Sequence, residues 1–309
     1  MERKEGAWGR VWRKASPWYR ASRPFTLSAS AVPVLVGSAL AFREGKASFG
    51  LFLLVLVASM LVQVTANLVD EYADAARPEG KAKLPAPYKV IALGLLSTTA
   101  VKRGALAFFA AATIIGLYLV AVAGWPVLAI CLASALVAYL YSAGPRPLGA
   151  MALGQPLVFL IMGPAMVMGT YYVHARAFTP ETLWLSLPVG CTVTAILAAN
   201  DLRDEEEDRA AGKRTLVTLL GRRFGRWEWT ALAAAAFLLV LALARVAGLG
   251  ALALLPLLAL PPAGVALRAV WRGRGRAELA SSLRASAQLH WWLGLLLAAG
   301  VALGRLVPS

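Results

Sequence analysis

Apolar positions in this chain come in long unbroken runs. "AVPVLVGSALAF" (31–42), "LFLLVLVASMLVQV" (51–64) and "LAFFAAATIIGLYLVAVAG" (106–124) are three of many. A helix needs roughly 20 mostly apolar residues to cross a bilayer. Runs of that kind predict nine spans, at about 24–42, 49–69, 101–123, 125–141, 152–173, 183–200, 229–247, 249–269 and 288–306. Several carry Gly or Pro, as in "GPAMVMG" and "ALLPLLALPPAG", which membrane helices tolerate better than soluble ones. The expected fold is all-α and polytopic. Residues 1–22 form a basic N-terminal segment and 23–309 a single transmembrane domain. A basic flank and "ALA" at 39–41 resemble a signal peptide. The long N-terminal region and the eight later spans favour a retained first helix.

Composition agrees. The 309 residues are 59% hydrophobic, with a mean hydropathy of +0.66, too apolar for a soluble protein of this length. Cys131 and Cys191 both fall inside spans, so neither a disulfide frame nor a thiolate metal site is expected. The formal charge of +15 raises the question of nucleic acid. Its distribution excludes that reading. With the N-terminus cytoplasmic, 26 of the 31 Lys and Arg fall on the inner side; Arg43, Lys46, Arg176, Arg245 and Arg305 do not. This is a positive-inside bias in a multi-pass cell-membrane protein, with added attraction to anionic lipid.

The acids follow a different rule. Ten of the 16 lie in two groups. The first is Asp70, Glu71, Asp74 and Glu79; the second runs from Asp201 through Asp204, Glu205, Glu206 and Glu207 to Asp208. Each begins where an apolar run ends, and the topology puts both on the cytoplasmic side. In "QVTANLVDEYAD", Asn67, Asp70 (or Glu71) and Asp74 share one helix face. In "AANDLRDEEED", Asn200, Asp204 and Asp208 do the same. Like charges one turn apart repel unless a cation sits between them. A hard divalent cation is the natural remedy. Mg²⁺ takes oxygen ligands, typically one or two carboxylates plus substrate phosphate. The candidate metal ligands are Asp70, Glu71, Asp74, Asp201, Asp204 and Asp208, with Asp70, Asp74, Asp204 and Asp208 as the catalytic set. Glu205, Glu206 and Glu207 are expected to be solvated. "AAGKRTL" then supplies Lys213 and Arg214 for phosphate. Arg146 in "YSAGPRP" and Arg23 in "SRPFTLSAS" either face the site or anchor at the lipid interface.

At these residues the chain resembles the UbiA superfamily of intramembrane aromatic prenyltransferases. Within it the likeness is to the branch that prenylates 1,4-dihydroxy-2-naphthoate in menaquinone synthesis. "NDLRDEEEDRAAGKRTLVTLLG" is similar to that branch's second Asp-rich motif, "SRPFTLSASAVPVLVGSALA" to its first helix, and "YSAGPRPLGAMALGQPLVFLIMGPAMVMGTYYV" to its fourth-to-fifth helix region. The resemblance implies nine helices around a central cavity, Mg²⁺, a polyprenyl diphosphate donor and an aromatic acceptor. It implies no protein partner. Asn67, Asn200, Arg146, Lys213 and Arg214 would hold diphosphate, and Arg23, Tyr72 and Tyr141 the acceptor. Tyr72, Tyr139, Tyr141, Tyr171 and Tyr172 are candidates to face an allylic cation. The first motif departs from the branch pattern Asn-x-x-Asn-Asp-Tyr-x-Asp, with Asp70 for its second Asn and Glu71 for its Asp. In the second, Asp201 follows Asn200 where the branch has a second Asn. Homogentisate or a glycerol phosphate lipid is the alternative acceptor. A cation transporter is the alternative class, disfavoured because transport favours acids near mid-membrane.

Overall fold

The computed structural model describes residues 15–76, 88–142, 148–246 and 251–305. Among them every regular element is helical. The main helices are α1 (Ser28–Arg43), α2 (Phe49–Ala76), α3 (Thr98–Ala123), α4 (Trp125–Ser142), α5 (Gly154–Ala175), α6 (Pro180–Ala210), α7 (Leu216–Val246), α8 (Ala251–Arg272) and α9 (Arg276–Leu303). Eight of these regions are long and apolar enough to span a membrane. The nine-span expectation is met as helix but not as a count of full spans. In α4 the apolar stretch that qualifies, Trp125–Val137, is shorter than the others.

Two helices run well past their apolar segments. The hydropathy pattern predicts 49–69 and 183–200, yet α2 has 28 residues and α6 has 31. At 1.5 Å per residue they are about 42 and 46 Å long, against roughly 30 Å of hydrocarbon. The extra turns carry Asp70, Glu71 and Asp74 in α2 and all six acids of the second group in α6, as the stripe argument requires; Glu79 lies outside the described residues. Thr179 starts α6 with a reciprocal capping box to Thr182.

The contacts group the chain into two compact units. One comprises Met1–Leu27 and Val57–Ile115. Its core is Ala21, Leu68, Val90, Val101 and Ala105, with Trp18 and Tyr72 packed on it. The other comprises Ser28–Leu56 and Gly116–Ser309. It has two apolar cores, one around Val32, Leu40, Tyr171, Leu185 and Leu297, the other around Leu202, Trp229, Val270 and Leu289. Large apolar residues such as Leu132, Leu238 and Leu258 remain exposed on its helices, as expected of faces that meet lipid.

Two prolines are absorbed by local changes of helix type, while Pro33 and Pro188 sit within regular α-helix. Pro164 lies in a π-helical stretch, Ile161–Ala165, within α5, and Pro256 in a 3₁₀ stretch, Ala251–Ala259, that opens α8. Two buried polar side chains of the second unit are paired, which a dry interior requires. His290 meets the Thr192 hydroxyl at 2.8 Å and the Ser28 carbonyl at 3.2 Å, and Trp229 Nε1 donates to Ser286 Oγ at 2.9 Å.

Close approach of α1 to α5 depends on a small residue. A Cβ on Gly37 would lie 2.5 Å from the Val167 carbonyl oxygen and 2.9 Å from Thr170 Cβ. Gly37→Val is therefore expected to destabilise by about 1–3 kcal/mol through overpacking. Gly116→Val, where nothing lies within 4 Å, should shift the melting temperature much less. Thermal unfolding in one detergent compares the two.

Candidate active site

In the first unit the acids of α2 are built around the turn that precedes α1. Arg23 has φ of 48°, the left-handed region that non-glycine residues seldom adopt. The carbonyl of Arg23 accepts from both the backbone N–H and the hydroxyl of Thr26, at 2.8 and 2.9 Å. Asn67 donates its amide to the Ser22 carbonyl at 2.8 Å and to Thr26 Oγ1 at 2.9 Å. Asn67, proposed from the sequence for diphosphate, is thus buried and braces this turn.

The strained turn aims the Arg23 guanidinium at the α2 acids. Nη1 lies 3.4 Å from Asp70 Oδ2 and Nη2 3.9 Å from Glu71 Oε2, with the guanidinium 4.8 Å from the Tyr88 ring centroid. Lys89 adds a second cation, 2.5 Å from Asp74 Oδ2 and 3.6 Å from Glu71 Oε2. Glu71 is the hub: its side chain is 1% exposed, and it accepts the Ile91 backbone N–H at 3.0 Å. Asp70 and Asp74 stay open, with side chains 49% and 46% exposed. Tyr72 points to Lys102, whose Nζ lies 5.4 Å from its ring centroid. Lys89 and Tyr88 were not legible as site residues, because a cation 15 residues from its carboxylate leaves no spacing signal.

In the second unit α6 presents two faces of acids. On one, Arg203 reaches Asn200 Oδ1 at 2.8 Å and Asp204 at 2.8 and 2.5 Å. Arg276, from the start of α9, joins Asp204 at 3.6 Å and also pairs with Glu207. Asp208 is buried and pairs with Lys213 Nζ at 2.8 Å, while the Lys213 N–H donates to the Asp208 carbonyl at 2.8 Å. That tight return needs Gly212, whose φ is +70°. Arg214 has an exposed side chain, and its N–H donates to the Ala150 carbonyl at 2.8 Å.

The expectation that Glu205–Glu207 are solvated holds only for Glu206, which is 83% exposed. Glu205 is buried, paired with Arg209 at 2.7 Å and Arg222 at 2.6 Å. Glu207 is largely buried against Arg276. Consecutive residues on a helix point about 100° apart, so a run of three acids cannot share one environment. Arg222 and Arg276 come from other helices, where the sequence gives no sign of their target.

Asp201 lines a cleft with Tyr141, Gly149, Gln155, Leu197, Thr215 and Leu216 among others. The Gln155 amide donates to Asp201 at 3.2 Å and to Glu228 at 3.3 Å. The structure thus brings Tyr141 and Asp201 together. It does not bring Tyr171 or Tyr172 to the acids. Tyr171 donates to Glu44 Oε2 at 2.5 Å, and Tyr172 stacks on Phe178 with centroids 4.6 Å apart. Both lie on α5 about 24 Å along the helix from Gln155. Arg146 lies outside the described residues, as does the side chain of Tyr139.

Among the described residues no group of three or more His, Cys, Asp or Glu could hold a metal ion unaided. Each array instead offers oxygen-only pairs with cations beside them. That donor set suits Mg²⁺ that arrives with phosphate and keeps its waters.

A membrane chain, helical among its described residues, in which two long helices end in Asn-led carboxylate arrays, each bordered by Arg and Lys, has the layout of an enzyme for amphiphiles with phosphate head groups. The UbiA prenyltransferase family matches residues 30–294, and the chain belongs to that family. It is 27% identical over 283 residues to the 1,4-dihydroxy-2-naphthoate octaprenyltransferase of Bacillus subtilis, covering 92% of this chain and 91% of the relative. It is 32% identical over 302 residues to the protein of that name from Mycobacterium tuberculosis, covering 94% and 98%. A solved UbiA homologue from Archaeoglobus fulgidus, bound to GPP and Mg²⁺, shares the fold with a TM-score of 0.60 at 17% identity, covering 91% of this chain and 99% of that one.

Glu205→Gln leaves two arginines without their carboxylate and is expected to cost about 1–3 kcal/mol of stability. Glu206→Gln should be nearly neutral. Chemical denaturation of the two variants in parallel distinguishes them.

Proposed function

We propose that this protein transfers a polyprenyl group from its diphosphate to 1,4-dihydroxy-2-naphthoate, giving demethylmenaquinol, whose separate two-electron oxidation yields demethylmenaquinone, with Mg²⁺ as cofactor. The observation that carries the reading is charge matching. Asp70, Asp74, Asp204 and Asp208 each sit against an arginine or lysine that a phosphate oxygen could take over. These four are the proposed Mg²⁺ ligands. Glu71 and Asp201, also candidates from the sequence, are assigned bracing roles, because each accepts from a neutral protein amide, the Ile91 N–H and the Gln155 side chain, that phosphate would not take over. Named relatives act on this naphthoate, and the homologue with GPP and Mg²⁺ supports the donor class and the metal.

The chemistry follows. Mg²⁺ when bound supplies Lewis acidity and a template for the diphosphate. Lys89 beside the α2 acids, and Lys213, Arg203 and Arg214 beside the α6 acids, would place positive charge on departing phosphate oxygens. The allylic C–O bond breaks and its electron pair leaves with diphosphate. The ring carbon that bears the acceptor's carboxylate supplies the pair for the new C–C bond. The acceptor's carboxylate leaves as carbon dioxide, and its bonding pair restores the aromatic ring. Tyr141 and the apolar cleft walls keep water from the cation. Asn67 and Asn200 hold Arg23's turn and Arg203 in place.

Asp74→Ala, Asp204→Ala and Asp208→Ala should each lower turnover by about two orders of magnitude or more. Product mass analysis with polyprenyl diphosphates and a panel of aromatic acceptors reads this out and tests the acceptor. Full turnover in excess chelator would remove Mg²⁺ from the proposal.

The active-site loops are assigned to the cytoplasm of a cell-membrane protein on the positive-inside bias. In a background with Cys131→Ala and Cys191→Ala, Ala92→Cys and Ala211→Cys should react with impermeant thiol reagents from one side of sealed vesicles. Ala47→Cys should react from the other. Labelling of Ala92→Cys and Ala211→Cys from different sides would mean that the two motifs do not serve one diphosphate.

A further inference from the structure

Where α7 begins and α8 ends, arginine and tryptophan collect in a way the transferase reaction does not use. Arg226 Nη2 donates to the Gly273 carbonyl at 2.7 Å and Arg222 Nη1 to the Arg274 carbonyl at 2.9 Å. These bonds set the first turns of α7 beside the last turn of α8. Trp227 and Trp271 meet there edge to face, with centroids 5.0 Å apart at 81°. Trp271 Nε1 donates to Thr230 Oγ1 at 3.1 Å. Arg223 and Trp227 lie one turn apart on α7; Arg268 and Arg272 lie one turn apart on α8, next to Trp271.

The arginines divide into two sets. Arg222 and Arg276 are neutralised by Glu205, Glu206 and Glu207. Arg223, Arg268 and Arg272 are exposed and, among the described residues, pair with no carboxylate. The same edge exposes Phe224 and Trp227, and further along the two helices Leu238, Leu241, Leu258 and Val265 are exposed as well. A cluster of like charges with no partner is unfavourable unless an anion meets it. A soluble anion would leave the apolar faces uncovered. Only an amphiphile with an anionic head and acyl chains covers both parts. Tryptophans at head-group level complete that pattern.

We propose that Arg223, Arg268 and Arg272, with Trp227, form a binding site for an anionic phospholipid, the phosphodiester against the guanidiniums and the acyl chains along the α7–α8 face. The site is separate from the diphosphate chemistry and does not depend on the acceptor assignment.

The test uses the purified full chain in nanodiscs with equal amounts of phosphatidylglycerol and phosphatidylcholine, followed by native mass spectrometry of retained lipid. The wild type should retain phosphatidylglycerol with ~tenfold preference. Arg268→Gln/Arg272→Gln should bring the preference close to unity, and Arg223→Gln should lower it alone. Arg268→Lys/Arg272→Lys should keep most of it. Arg245→Gln, at the far end of α7, should not change it. An unchanged preference in Arg268→Gln/Arg272→Gln and in Arg223→Gln would overturn the proposal. So would an equal loss in Arg245→Gln, which would mean general basicity, or loss in excess inorganic phosphate at constant ionic strength, which would mean a soluble anion.

Discussion

Carboxylates one helical turn apart at the end of an apolar helix repel one another, and the rest of the site is arranged to neutralise them. Arg23 and Lys89 meet the acids of α2, and Arg203, Lys213, Arg222 and Arg276 meet those of α6. Three of these cations arrive with a constraint on the backbone. Arg23 sits at a left-handed residue, Lys213 follows a glycine turn, and Arg276 opens α9. Fold and charge compensation are therefore one problem: moving any of these turns would leave an acid without its counter-charge in a largely dry setting.

The same compensation explains how one protein can be stable before substrate arrives and receptive when it does. Mg²⁺ and diphosphate together bring both signs of charge. In the proposed reaction the carboxylates would exchange a cationic side chain for metal, and the cationic side chains a carboxylate for phosphate. No charge need be buried alone at either stage. The half-exposed Asp70 and Asp74 are placed for such an exchange, whereas Glu71, closed in by Arg23, Lys89 and the Ile91 amide, is placed to hold the loop that carries Lys89.

Acids within one run have different fates. Asp204 and Asp208 lie on the face that the Asn-led spacing marks. Asp201 turns toward Gln155, Glu205 and Glu207 toward arginines of other helices, and Glu206 toward water. The three glutamates are alike in composition, which has no direction. Helical geometry does, and a 100° step between neighbours sends each to a different partner.

The sequence by itself determined the class of fold, because lipid admits few ways to satisfy a backbone and an apolar run of 20 residues takes one of them. It also determined the two carboxylate stripes, since spacing along a helix converts directly into a shared face. Only the tertiary structure decided which acids are braced and which are open. It also decided that Tyr171 and Tyr172 belong to the other end of α5, and that Lys89, Gln155, Arg222 and Arg276 take part. Those pairings join residues from different turns and helices. A side chain's partner across such a distance is fixed by packing, and packing leaves no period in the chain.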